Sequence, residues 1–150
     1  RLTVGVEIPR LQVAEYHRPY VAVWIERADN SVASTLAVWY DLKLKNAEGT
    51  KWLKDMRQWW RRTGRELDLP IDGVTSPTRP VGKHTLEFTE GKAPLAALPA
   101  GNYKLVVEAA REVGGRELVS IPFTWPAAQA TSLQAQGQTE LGAITLQVKP

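Results

Sequence analysis

The sequence contains no cysteine. Disulfides, zinc–thiolate sites, iron–sulfur clusters and cysteine nucleophiles are therefore excluded, and redox chemistry gives no reading of the compartment. Histidine is scarce too. His17 and His84 are the two present, far apart and without HxH or HxxxH spacing, which leaves a metal site little to stand on. No Asp-x-Asp-x-Asp run suggests calcium. No GxSxG, P-loop, HExxH or Rossmann glycine pattern is found. No apolar run approaches the ~20 residues that span a bilayer. Charge of one sign is not in great excess: 19 basic against 16 acidic residues give a net +3. That is a weak footing for a polyanion partner, and no nucleic acid is expected. These absences leave no cofactor, metal or catalytic residue to assign.

What is present is the composition of a folded chain. Hydrophobic residues make up 43% and charged residues 23% of 150, enough apolar surface to offset the ordering entropy and about the size of one domain, here 1–150. Period-two alternation recurs in short segments, the mark of half-buried strands. Leu2, Val4, Val6 and Ile8 share one face until Pro9 stops the strand. Tyr20–Glu26 is β-branched and aromatic, Asp29-Asn30-Ser31 reads as a turn, and Thr35–Tyr40 as the returning strand. Later strands are read around Leu86, Leu105, Ile121 and Leu146. Gly114-Gly115 is a two-residue hairpin signal, both positions tolerating φ > 0. Pro126–Gln138 is rich in Ala, Gln and Ser and reads as a loop.

Between Thr50 and Arg62 the period changes. Trp52, Leu53, Met56, Trp59 and Trp60 recur at helical spacing, with Thr50 as the expected N-cap and Gly64 as the stop. The fold expected is a mainly β, immunoglobulin-like antiparallel sandwich of about 7–8 strands, with one short helix inserted at about 50–62. Strand–helix–strand alternation is absent, so a parallel nucleotide-binding sheet is not expected.

Five segments stand in order along the chain: His17–Glu26, Thr35–Trp39, Trp52-Leu53 with Trp59, Glu108–Gly115, and Glu140-Leu-Gly142. Together they resemble an uncharacterised bacterial family of predicted periplasmic proteins, domain of unknown function 2271, over nearly the whole chain. The resemblance implies export to the periplasm and a signal peptide lost before Arg1; a trimmed chain would begin the same way. It also implies company with membrane-bound PepSY proteins and flavin-linked electron transfer. The family has no established catalytic residues to carry over. Gly101-Asn-Tyr103 further resembles the late-strand start of bacterial immunoglobulin-like modules, where such a tyrosine bonds backbone across the sandwich corner.

The candidate binding residues follow. His17 and Arg18 precede a strand, a good place for a loop-borne anion or ligand contact, although a solvated loop entry is the blander account; Tyr20 adjoins them. Glu108, Arg111 and Glu112 are read either as a Glu–Arg recognition pair beside the Gly-Gly turn or as a register-fixing cross-strand ion pair. His84 is read as a core-edge histidine bonded to backbone. The six tryptophans are the least ordinary feature. About four are expected in the core, with Trp24 and Trp39 receiving the helix and Trp60 as the spare ring, since Trp59 and Trp60 cannot both face inward. Trp52, Arg57 and Trp60 complete the candidate surface.

The leading expectation is a non-catalytic periplasmic interaction module that docks a membrane redox or iron-related partner. The second is a ligand-binding module that uses exposed Trp rings for a sugar or planar cofactor. The third, least favoured, is a hydrolase-type enzyme using His17 and His84.

Overall fold

Alternation along the first strand predicts which sheet face must be covered, and the architecture follows from that. The computed structural model describes residues 1–44 and 48–150. Nine strands lie among the described residues: β1 Leu2–Ile8, β2 Tyr20–Arg27, β3 Val32–Trp39, β4 Thr75–Ser76, β5 Gly82–Phe88, β6 Gly101–Ala110, β7 Arg116–Trp125, β8 Thr131–Gln136 and β9 Ala143–Val148. They form a four-stranded sheet, β5-β1-β9-β8, and a five-stranded sheet, β4-β3-β2-β6-β7. All pairings are antiparallel except β3–β4, which is parallel and two residues long. The mainly β, two-layer fold is the expected one, with more strands than foreseen. The Ala/Gln/Ser-rich stretch is the chief difference. It is not a loop throughout: Leu133 and Ala135 turn toward the core and β8 pairs along β9.

The two sheets meet across a core of Leu2, Val4, Val6 and Ile8 from β1, Val21, Val23 and Ile25 from β2, and Leu105 and Val107 from β6. The other face of the five-stranded sheet is covered as well. Tyr20, Ala22, Trp24, Val38, Tyr40 and Val106 pack there against Leu53, Met56 and Trp59. That second layer explains why β2 is buried on both faces and reads as a nearly continuous apolar run.

The covering segment is two helices, not one. A 3₁₀ helix spans Lys45–Asp55, Met56 breaks it, and α1 spans Arg57–Arg62. Thr50 lies inside the 3₁₀ helix and is not an N-cap. Three residues per turn align Leu53 with Met56 and turn Trp52 away, to 50% exposure. Gly64 does not end α1 by a left-handed turn. It is needed because a Cβ there would lie 2.6 Å from the Trp59 ring.

Trp24 receives this layer, but Trp39 does not. Ala22 pairs with Val38 and Val21 with Trp39, so Val38 shares the helix-side face while Trp39 enters the inter-sheet core. There it meets the edge of His84 at 5.7 Å between centroids and the guanidinium of Arg79 at 5.1 Å. Tyr103 donates from its hydroxyl to the Pro99 carbonyl four residues upstream, the expected corner bond.

Candidate functional site

At one end of the five-stranded sheet three segments converge on a cavity of about 550 Å³. They are the irregular strap between β1 and β2, the 3₁₀ helix, and the hairpin joining β6 to β7. Six of the residues singled out from sequence line it: His17, Arg18, Tyr20, Trp52, Arg111 and Glu112. β2 pairs Tyr20 with Ala110, which brings the strap and the hairpin to the same sheet end.

The hairpin is built around Arg111. Its side chain is buried and bidentate on Glu140, Nε to Oε2 at 2.8 Å and Nη2 to Oε1 at 3.1 Å. The backbone N–H of Gly115 donates to the same carboxylate at 3.0 Å. The Glu140 hydrogen bonds hold the guanidinium more firmly charged than usual. Gly114 and Gly115 clear the space. A Cβ at Gly114 would stand 2.4 Å from the Arg111 Cζ, and one at Gly115 would stand 2.8 Å from Glu140 Oε1. The expected positive φ is on neither glycine. Val113 takes it instead, at φ 52, with its side chain 70% exposed at the cavity rim. A β-branched residue in the left-handed region is strained, and such strain gathers at ligand clamps.

The strap leans on this hairpin. The Arg111 guanidinium lies 5.8 Å from the centroid of the Tyr16 ring. His17 sits between two carboxylates, Nε2 to Glu15 at 3.2 Å and Nδ1 to Glu112 at 3.5 Å. Burial pushes the Tyr16 hydroxyl above its ordinary value. Tyr20 forms the floor, where burial pushes its hydroxyl up to about 12 while it donates to the Gly49 carbonyl at 2.8 Å.

The other candidates lie elsewhere. Arg57 is exposed on α1, away from the cavity. Trp60 is half-buried against the helix-side cluster and faces a separate hollow beside Leu53 and Leu69, so the spare ring at the cavity is Trp52. Glu108 is fully buried under α1. It accepts from the backbone N–H groups of Gln58 at 3.1 Å and Trp59 at 2.8 Å, and from Arg116 Nε. Its arginine partner is therefore Arg116, diagonally across the hairpin, and that of Arg111 is Glu140. His84 donates from Nε2 to the Pro80 carbonyl, 2.8 Å away, and lines a different hollow from His17. No group of three or more metal-ligating side chains is gathered among the described residues. No helix among them is long and apolar enough to cross a membrane.

A family described as predicted periplasmic protein (DUF2271) has a model that matches residues 1–143. The chain belongs to that family. Its description places the chain in the periplasm. No curated protein and no solved structure matches. Four of the five segments that carried the resemblance build the cavity and its supports: His17 and Tyr20 come from the first, Trp52 from the third, Arg111 from the fourth and its partner Glu140 from the last.

Sequence reasoning missed Tyr16, Glu26 and Glu140. Tyr16 had a usable signal, since it adjoins His17 on the same strap. Glu140 lies 29 residues from Arg111, and no local pattern joins them. Glu26, fully buried, accepts from Trp24 Nε1 at 2.8 Å and Gln58 Nε2 at 3.2 Å, anchoring α1 from a strand that otherwise reads as apolar.

Proposed function

We propose that this domain is a periplasmic ligand-binding module that holds a ring-bearing ligand between the strap, the 3₁₀ helix and the β6–β7 hairpin, and that it does no chemistry of its own. The observation that carries this reading is Trp52, half exposed over a cavity whose wall also bears Tyr16 and Tyr20. Aromatic faces supply stacking area at little rotamer cost, and a few charged groups then fix orientation. Trp24, Trp39 and Trp59 are each no more than 1% exposed, so Trp52 is spared from the core for another use.

A docking surface built on Arg57 and Trp60 has less support, because Trp60 is committed to the helix-side cluster. Catalysis by His17 and His84 has less still. The two line different hollows, and each is occupied by carboxylate or carbonyl partners that do not form a nucleophile–base pair. An accessory role beside a membrane redox or iron-related system accords with a module that carries a planar cofactor.

Tryptophan fluorescence titrated with glycans, haem and flavins tests the reading. Saturable quenching by one class, lost in Trp52→Ala, is the expected result. Quenching by none of them, or quenching unchanged in Trp52→Ala, would overturn it.

A further inference from the structure

The hairpin end of the cavity holds two polar atoms that the fold leaves without partners. Arg111 is 9% exposed. Its Nε and Nη2 are taken by Glu140, while Nη1 is buried and unpaired. The Tyr16 hydroxyl, on the ring that covers the guanidinium, is buried and unpaired too. Unpaired buried donors are costly, and native structures keep few of them without a reason. Glu140 relieves neither atom: it accepts from Arg111 Nε, Arg111 Nη2 and the Gly115 N–H. Two adjacent glycines are also required to seat the pair.

We propose that this corner is the subsite for an acidic group on the cavity's ligand, a carboxylate or phosphate oxygen accepting from Arg111 Nη1 and from the Tyr16 hydroxyl. The inference rests on the ligand-binding reading above and adds a class to it: the ligand is a ring-bearing acid. Pairing with Glu140 fixes the guanidinium fork, so Nη1 presents donors in one direction. Arg18 lines the same cavity and adds positive charge. Of the three acidic side chains in the lining, Glu112 adjoins Arg111 and is engaged by His17 at 3.5 Å, while the other two belong to other segments. Asp41 follows β3, which lies two strands from β6 across β2, or about 10 Å at the usual strand spacing. Asp55 ends the 3₁₀ helix. An acid is drawn to the Arg111 corner and repelled from the Asp41 side, which leaves the ring of the ligand toward Trp52. Because Tyr16 covers Arg111, the acid enters as the strap lifts from the hairpin.

The test uses three probes of one shape: 1-naphthoate, 1-naphthyl phosphate and the neutral 1-naphthamide. Their binding is followed by calorimetry and by the Arg111 guanidinium N–H resonances. At least one acid is expected to bind tenfold or more tighter than the amide, and the difference between the two acids identifies the group preferred. Tyr16→Phe, which removes a hydroxyl with no partner in the fold, is expected to weaken that acid by about three- to tenfold, one hydrogen bond's worth, and to leave the amide unchanged. Arg111→Lys, checked for folding by near-UV circular dichroism, is expected to erase the preference. Equal affinity for acids and amide, or no effect of Tyr16→Phe, would overturn the subsite while the cavity reading stands. Absence of binding by all three probes would overturn both.

Discussion

Glu108, near the end of β6, accepts the backbone N–H of Trp59 at 2.8 Å, so a strand side chain supplies the cap that α1 lacks in its own sequence. The same carboxylate takes the N–H of Gln58 and the Arg116 guanidinium. A helix of six residues cannot hold itself together in water, since nucleation costs more than one turn of bonds returns. Its place on the sheet depends on Trp59, Met56 and this buried anion.

Glu108→Ala is therefore expected to cost about 3 kcal/mol, because it strands two helix N–H groups and leaves Arg116 without its partner. Urea unfolding followed by far-UV circular dichroism measures it. A loss under about 0.5 kcal/mol, the scale of an exposed ion pair, would show that the anchor is not the carboxylate.

The hairpin glycines give a second prediction. Gly114→Ala pushes a methyl group into the Arg111 guanidinium, 2.4 Å from Cζ. The expected cost is about 1–3 kcal/mol, the range for overpacking a filled site. In an Arg111→Ala background the same change should be nearly free. A double-mutant cycle by thermal unfolding reads the coupling. Equal costs in the two backgrounds would assign Gly114 to backbone conformation instead.

Much of this was legible in the sequence, and the parts that were not share a cause. Strand positions such as Leu2, Val4 and Val6 announce themselves because period two is local. The cavity residues His17, Tyr20, Arg111 and Glu112 were recognisable as charged or aromatic side chains at strand ends. Both Trp52 and Trp60 stand out as candidate surface rings, but a single α-helical period over 50–62 makes Trp60 the spare one, whereas Trp60 packs on the helix-side cluster and Trp52 reaches the cavity. The 3₁₀ segment advances 120° per residue, not 100°, and the break at Met56 resets the phase. Trp39 was misassigned because the helix-side face of β3 is set by the pairing of Val38 with Ala22. Glu140, Glu26 and the residues they hold are joined only by the tertiary fold. Gly114-Gly115 looked like turn chemistry, whereas the glycines make room for an ion pair.

Val113 offers a stabilising change. Its φ of 52 is tolerated far better by asparagine than by a β-branched residue, and its side chain is exposed, so little packing is lost. Val113→Asn is expected to raise stability by about 1 kcal/mol, the scale of the left-handed penalty. The melting temperature should rise by a few degrees. A drop would show that the exposed isopropyl group is packed in solution.

Glu117 gives a prediction in pH. Its carboxylate accepts four consecutive backbone N–H groups: Gln138 at 2.7 Å, Thr139 at 3.1 Å, Glu140 at 2.9 Å and Leu141 at 2.8 Å. Burial alone pushes its pKa up, but the four donors together outweigh burial and hold it below the usual carboxylate range. A depressed folded-state pKa contributes stability that is complete above the ordinary value of 4.5 and is lost as pH falls through the folded-state value. Glu117→Gln should therefore cost about 1 kcal/mol at pH 7, a modest figure because the bonds are solvent-screened. Urea midpoints of the two chains should converge as pH falls below 4.5. Because the loop it holds carries Glu140, the same substitution should also loosen Arg111 and weaken whatever the cavity binds. A stability gap that stays constant from pH 7 to low pH would mean that the loop is held by shape and not by charge.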